Sequence, residues 1–521
     1  MKAGITLGLV LGDQLSESPA VCQDLGCSDP ILLIEAPEEA SHVKSHKART
    51  VLFLSAMRHA RERWQSQGYN VYYIRTDEPG FEDEPTLAGR LLRFLQVRKA
   101  QWPEVTLRFQ RPGDWRLQQS LQKALADQPG LTVVEEEDPH FYCSPRSFAD
   151  WAKGKRQLRM ELFYREQRRR HGVLLQPDGE PEAGQWNFDA QNRKPFGKKG
   201  PGEPPAPLRI EPDTTTREAM DDVERWYPDH PGDLQAFFWP VTPEQARLAW
   251  RQFLEQRLDD FGPTQDAMWT GLSIGWHSAI GSSLNLHMLD PRELVADVEK
   301  AYREGRVRLE SAEGFIRQVL GWREYMRGIY WLEMPGLLNA NELKAKRSLP
   351  DWFWTGQTHM NCQRQVVEQT LELGYAHHIQ RLMVTGLFGL LAEIDPKEVS
   401  DWFLAVYVDA VHWVEHPNVM AMALYATGPR FTSKPYLASG AYIHRMSNYC
   451  QGCRYKPSQR LGEQACPVTQ FFWSFIGRHE ELLKKNPRTS MMVKNWQRME
   501  PEERDTLLRQ AETRLGALSS L

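Results

Sequence analysis

Cys450, Cys453 and Cys466 stand in the run YCQGCRYKPSQRLGEQACP with the spacing C-x2-C-x12-C. Thiolates so spaced speak for metal or redox chemistry rather than structural disulfides in a protein of the cytoplasm. Three thiolates leave a four-ligand site one short. Cys362, in THMNCQRQ, is the only other cysteine in the C-terminal half. A Cys-Pro step after the last ligand, here Cys466–Pro467, is common at iron–sulfur sites. Structural zinc accepts four thiolates equally well, so the spacing leaves the metal open. Cys22, Cys27 and Cys143 are scattered and read as ordinary thiols.

Two further groupings could do chemistry. His377 and His378 are adjacent, and histidine is the side chain whose proton exchanges most readily near neutrality. On a helix they would point about 100° apart, so both cannot face one ligand equally. The plainer reading is a pair of satisfied core histidines. Residues 276–283, WHSAIGSS, collect small and hydroxyl side chains. Amides and hydroxyls at a helix start suit a pyrophosphate, although alone such a cluster is usually a turn and cap.

These residues need elements to position them. At 521 residues the chain calls for two or three domains. Residues 5–11, 31–36, 69–76, 104–109 and 131–135 are short and apolar or β-branched, with amphipathic stretches such as 51–67 and 88–99 between them. That alternation predicts a parallel sheet covered by helices over 1–135, a Rossmann-like α/β domain. Ligands of such sheets sit beyond the carboxyl ends of the strands. Gly12, Asp13 and Gln14 follow the first strand there, and Glu35, Glu38 and Glu39 end or follow the second. No G-x-G-x-x-G follows the first strand, so a nicotinamide dinucleotide is not indicated.

Residues 136–240 read as a connector. A basic helix is predicted over 153–170, as a solvated face or a contact for nucleic acid, and the six prolines of 192–212 disfavour regular structure. From 241 to 521 apolar spacing of three and four predicts an all-α domain, its first helix starting at Thr242–Pro243. Helices are expected over 246–260, 291–304, 312–331, 363–374, 377–392, 397–409 and 471–484. No run of about 18 apolar residues predicts a membrane span. The N-terminal MKAGITLGLVLGDQLS reads as strand then turn rather than a signal peptide, which points to the cytoplasm. Net charge is −4, so any nucleic-acid site must be a local basic patch. Eighteen tryptophans serve as core packing, stacking surfaces or a relay of redox-active rings.

The segments EGFIRQVLGWREYMRGIYW (313–331), YAHHIQRLMVTG (375–386) and DWFLAVYVDAVHWVEHPN (401–418) closely resemble the photolyase–cryptochrome superfamily. The cysteine pattern resembles its iron–sulfur branch, the bacterial cryptochromes and prokaryotic (6-4) photolyases, and the likeness runs from LGDQLS at 11–16 to the cysteine motif. The resemblance implies light-dependent repair of (6-4) pyrimidine–pyrimidone photoproducts, with a blue-light sensor carrying the same cofactors as the alternative. A zinc-stabilised DNA-binding protein without photochemistry is a third reading. The resemblance also implies an antenna domain, and an all-α C-terminal FAD-binding domain with an iron–sulfur site, a [4Fe–4S] cluster on Cys362, Cys450, Cys453 and Cys466. A 6,7-dimethyl-8-ribityllumazine antenna fits the polar set Gly12, Asp13, Glu35 and Glu39.

By position, the flavin phosphates fall near His277, Ser278 and Ala279. Gln318, Trp322 and Arg323 line the flavin pocket, and Arg381 with Asp409 resembles the buried ion pair beside the isoalloxazine. Glu415 or Asn418 faces flavin N5. His378 is the implied proton donor, supported by His377. Trp402 and Trp354 match the aromatic relay, whereas Phe403 stands where relatives often carry a tyrosine. The implied partner is UV-damaged DNA, single- or double-stranded, bound by a monomer. Arg430, Lys434, Arg445, Arg454, Lys456 and Arg460 are the cations for its phosphates. A divalent cation such as Mg2+ could be recruited by Asp189 or Glu415.

Overall fold

The computed structural model describes residues 4–18, 20–23 and 29–521; Cys27 lies outside them. Strands β1 (Ile5–Leu9), β2 (Pro30–Ile34), β3 (Asn70–Ile74), β4 (Val105–Gln110) and β5 (Leu131–Glu136) form one sheet in the order β3-β2-β1-β4-β5. Every pair is parallel, with Ile5 opposite Val105 and Pro30 opposite Asn70. Each predicted strand is present.

Helices cover both faces, which is why β2 is buried at every position. Ile31 and Leu33 join Val51 and Leu52 of α1 (Lys47–Ser66) in the larger core. Leu32 and Ile34 instead pack with Leu91 and Phe94 of α2 (Leu87–Arg98) and with Leu117 and Leu121 of α3 (Trp115–Leu125). The strand order reverses between β1 and β4. The loops that follow those two strands therefore diverge and leave a crevice at their carboxyl ends. Asp114 ends the β4 loop and caps α3 by accepting from the Arg116 N–H at 2.7 Å.

Residues 153–159 are a loop that follows α4 (Pro145–Ala152), and of the predicted basic helix over 153–170 only α5 (Met160–His171) forms. Gly154 breaks the run with φ +74°, a left-handed conformation that glycine adopts without strain. The intervening loop is tied elsewhere, the Leu158 N–H donating to the Arg430 carbonyl at 2.8 Å. Residues 192–212 hold neither helix nor strand, as their prolines predict. After α6 (Thr214–Trp226) comes α7 (Pro243–Gln256), which starts where Thr242 accepts from the Gln245 N–H.

The rest is helical, and among the described residues it contains only isolated β-bridges. The elements that matter for function are α8 (Leu309–Ile316), α9 (Glu324–Glu333), α10 (Asn361–Leu373), α11 (His378–Gln380), α12 (Pro396–Val406), α13 (His412–Pro417) and α14 (Pro467–Arg478). Two helices expected to be regular, 312–331 and 377–392, contain wider π turns at Arg317–Arg323 and Arg381–Gly386, and a third π turn runs over Asn418–Ala423, where no helix was expected. A π turn is rare outside functional sites.

Candidate functional site

All three π turns border one cavity of about 320 Å³. His277, Ser278 and Ala279 form one side of it, and Gln318, Trp322 and Arg323 another. His377, His378, Arg381, Asp409, Glu415 and Asn418 also line it, with apolar residues such as Phe315, Phe403 and Met422 between them. Twelve positions spread over 142 residues, from 277 to 418, are thus brought together. The chain is narrowed where a bound group could lie close: a Cβ at Gly281 would sit 2.8 Å from Asp409 Oδ2.

Arg381 is the charged centre. Its Nη2 lies 2.9 Å from Asp409 Oδ1 and its Nη1 lies 3.9 Å from Glu415 Oε2. Its guanidinium also rests 3.7 Å above the Tyr407 ring. Burial opposes its charge, but Asp409 and Glu415 outweigh burial and hold its pKa above the usual value. Glu415 is the weaker acid partner, because burial pushes its pKa up to about 8. Asn418 donates its amide to the Val414 carbonyl at 2.8 Å, so that part of the side chain is already engaged.

The histidines differ from one another. His377 is buried and stacks on His277, centroids 4.3 Å apart and planes 13° from parallel. His378 opens onto the cavity. Surrounding protein, then the Arg381 charge, lower the His378 pKa to about 4. In the unliganded protein this shift favours the neutral ring. Desolvation is the cause, and an anion brought alongside would reverse it. His277 Nε2 and His377 Nδ1 are buried without a hydrogen-bond partner.

A second cavity of about 120 Å³ occupies the crevice between β1 and β4, and Gly12, Asp13, Glu35 and Glu39 all line it. Asp13 is pushed up to about 7 by burial and by Asp138. Glu35 is not available to a ligand as expected: its carboxylate already accepts from Arg58 Nε at 2.8 Å, Tyr73 OH at 2.7 Å and the Thr76 N–H at 2.9 Å. Glu39 is held by Arg116 at 2.9 Å. Sequence reasoning missed Asp114, His42 and His412 in this lining. Nothing local marks them, because His412 comes from the helical half.

His42 begins a directed hydrogen-bond chain. Burial keeps His42 and His416 neutral, with pKa values of about 4 and 3. The Glu38 carbonyl can only accept, so His42 Nδ1 bears the proton and its Nε2 is a lone pair. His412 Nε2 then donates to His42 Nε2 at 3.1 Å, and His416 Nε2 donates to His412 Nδ1 at 3.1 Å. The Ser400 hydroxyl donates to His416 Nδ1 at 2.7 Å. One carbonyl thereby sets four tautomeric or hydroxyl orientations and joins the sheet layer to α12 and α13.

Cys362 opens α10 and Cys466 caps α14. Burial, followed by the charges of Cys466, Cys450 and Cys453, holds the Cys362 thiol well above its usual pKa, so the four sulfurs share one neighbourhood. As they stand, no group of three or more histidine, cysteine or acidic side chains among the described residues is arranged to hold a metal ion. Cys22 and Cys143 are free thiols buried elsewhere.

Trp402 is buried, donates to the Phe353 carbonyl at 3.0 Å and meets the Phe353 ring edge-on at 5.0 Å. Phe403, 5.2 Å from Trp402, reaches the first cavity. Trp354 is partly exposed. Of the expected phosphate cations, Arg445, Arg454 and Lys456 are exposed and Lys434 is half-buried. Arg430 and Arg460 are engaged by Glu333 at 3.0 Å and Glu503 at 2.6 Å. Asp189 already pairs with Arg317 at 2.7 Å and Arg193 at 2.9 Å. Asp266, near it, is raised to about 6 by burial and by the Asp189 charge. No helix among the described residues is long and apolar enough to cross a membrane.

The family described as deoxyribodipyrimidine photo-lyase-related protein matches residues 8–239. A (6-4) photolyase of Agrobacterium fabrum is 43% identical over 502 residues, spanning 96% of this chain and 97% of the relative. Among solved structures, a class III photolyase from Agrobacterium tumefaciens superposes with a TM-score of 0.56 at 15% identity, covering 86% of this chain and 87% of that one. A Synechocystis cryptochrome gives a TM-score of 0.56 at 15% identity, covering 95% of each chain. These two likenesses establish the fold.

Proposed function

The chain belongs to the photolyase-related family, and from that premise we propose that it is a (6-4) DNA photolyase acting on UV-damaged DNA. The observation that carries this reading is the first cavity, where the open His378 and the Arg381–Asp409 pair border one enclosed space. The narrow approach at Gly281 and the buried, unbonded His277 Nε2 fit FAD as its occupant. When bound and reduced, the flavin supplies the light-driven electron that starts reversal of the lesion. The chain's own residues do the rest. His277, Ser278 and Ala279 would hold the phosphate end, with Gln318, Trp322 and Arg323 along the wall. Arg381, paired with Asp409, keeps a fixed positive charge beside the ring system. His378 holds a proton at its exposed edge for the extruded base. Glu415, whose pKa of about 8 leaves it protonated at neutral pH, is favoured over Asn418, whose amide is engaged, as the residue that would face flavin N5.

The test is an oligonucleotide carrying one (6-4) photoproduct, illuminated with blue light beside reduced protein and analysed by chromatography. Recovery of the undamaged dinucleotide is expected. No recovery from protein with bound, reduced flavin would sink the repair reading and select a light sensor.

The further assignments belong to the same proposal. Residues 1–135 form the antenna domain, 136–240 the connector and 241–521 the catalytic domain. A [4Fe–4S] cluster sits on Cys362, Cys450, Cys453 and Cys466, whose convergence supports four thiolate ligands. Trp402 and Trp354 carry electrons inward. Of the two candidates for a divalent cation, Asp189 is already neutralised by Arg317 and Arg193 and Glu415 carries a proton, so neither offers a free carboxylate. The protein works as a cytoplasmic monomer, with Arg445, Arg454 and Lys456 toward DNA.

The second cavity takes the ribityllumazine, which Asp13, Asp114, His42 and His412 suit as polar contacts. Gly113 makes this testable. A Cβ there would lie 2.7 Å from Asp13 Oδ2 and 2.9 Å from Trp413 Cδ1. Gly113→Ala is expected to lose lumazine fluorescence from the purified protein while flavin absorbance stays. Undiminished lumazine content would remove this cavity as the antenna site.

Glu415 gives a pH prediction. The unfolded chain releases its proton near 4.5 and the folded protein near 8, so its contribution to stability falls as pH rises between those values. Glu415→Gln should flatten that part of a denaturation-versus-pH profile. A slope identical to that of the parent protein would refute a protonated Glu415.

A further inference from the structure

The turn that presents His377 and His378 is wired to the cysteine loop. The backbone N–H of His377 can only donate, and it meets Gln380 Oε1 at 2.9 Å. That orients the Gln380 amide, whose Nε2 donates to the Tyr449 hydroxyl at 3.1 Å and to Gln369 Oε1 at 3.0 Å. Gln369 returns its Nε2 to Gln380 Oε1 at 3.1 Å and to the Tyr375 carbonyl at 3.0 Å. Both amide orientations follow from backbone groups of fixed polarity.

Tyr449 directly precedes Cys450. Its carbonyl accepts from Asn361 Nδ2 at 2.7 Å, and Asn361 directly precedes Cys362. Two of the four cysteines are therefore clamped to each other through Tyr449, and Tyr449 is clamped to the histidine turn through Gln380. Tyr449 and Gln380 are both buried, where a hydrogen bond is hard to replace with water. Gln363, also on α10, donates to the Val384 carbonyl at 3.1 Å and ties the same helix to the π turn behind His378.

We propose that Tyr449 is a positioning residue, transmitting the geometry of the cysteine loop through Gln380 to the histidine turn. This rests on the proposed function for its catalytic meaning, but the link itself can be measured without repair. It gives the cysteine site a task beyond holding the C-terminal region: it sets the angle at which His378 meets its ligand. A small displacement of a catalytic group lowers turnover with little effect on binding.

Tyr449→Phe keeps the ring and removes the hydroxyl. The expected result is about a tenfold fall in kcat for lesion repair with KM changed less than about twofold. Iron and flavin content should match the parent protein. Independently, the rate at which diethylpyrocarbonate modifies His378, read by peptide mass in the dark, should change roughly threefold or more. Gln380→Met approaches the link from the other side and should give the same histidine change. The double variant should be no worse than Gln380→Met alone, because both act on one connection. Unchanged histidine reactivity in both variants overturns the proposal. So does loss of iron or flavin in step with kcat, which would make Tyr449 a packing residue only. If the parent protein shows no repair, the reactivity arm still decides the link and the failure belongs to the proposed function.

Discussion

His378→Ala is expected to lower (6-4) repair by about 10²–10⁴-fold, the usual range for removing a general acid or base. The imidazole opens onto the first cavity next to the Arg381–Asp409 pair, where an extruded base would lie. In the unliganded protein its pKa is about 4, lowered by the surrounding protein and then by Arg381. It meets its ligand as a neutral ring, able to donate one N–H, and gains a second proton only when a DNA anion offsets Arg381. Flavin should remain bound, because the rest of the lining is untouched. His377→Ala makes the contrast. Removing a buried ring stacked on His277 leaves a hole, so melting temperature and repair should fall together. The measurement is single-turnover repair by pre-reduced protein, alongside flavin absorbance and thermal denaturation. Repair by His378→Ala at more than a tenth of the parent rate would take the proton-donor role away from His378.

Arg381→Met is expected to cost about 3–5 kcal/mol of stability, because breaking a buried ion pair strands the remaining charge. Asp409 would lose the guanidinium 2.9 Å away, and Glu415 the stronger of the two positive groups, Arg381 and Arg49, that oppose its desolvation. The Tyr407 ring would also lose the cation above it. Methionine fills similar volume, so the loss reports charge rather than a cavity. Flavin should be retained poorly. Adding Asp409→Asn to Arg381→Met should recover part of the stability, since the stranded carboxylate is gone. Equilibrium urea denaturation of each variant decides the matter. A loss below about 1 kcal/mol, the size of an exposed pair, would mean that the pair is solvated and does not shape the cavity.

Much of the fold is written along the chain at short range. The five strands lie where alternating apolar runs place them, and Thr242–Pro243 begins a helix because a hydroxyl cap and a preset φ act within one turn. The cysteine spacing marked its loop for the same reason. Local patterns failed where tertiary packing intervened. The run 153–170 carries enough charge for one solvated helix, yet with Gly154 at positive φ and Leu158 bonded to Arg430 its residues 153–159 stay a loop. The π turns at 317, 381 and 418 keep helical composition and differ only in the extra residue that turns side chains into the cavity.

The candidate site divides in the same way. Residue types and order, through the likeness they carry, were enough to nominate twelve of the positions that line the first cavity and the four cysteines. Which of them are open, paired or already satisfied was settled by packing. Glu35 looked available and is saturated by Arg58, Tyr73 and Thr76, while His42 meets His412 across 370 residues of sequence. Periodicity and capping depend on neighbours a few positions apart and so are legible in the chain alone. Hydrogen-bond saturation, desolvation and the pKa shifts they cause depend on groups that become neighbours only after folding.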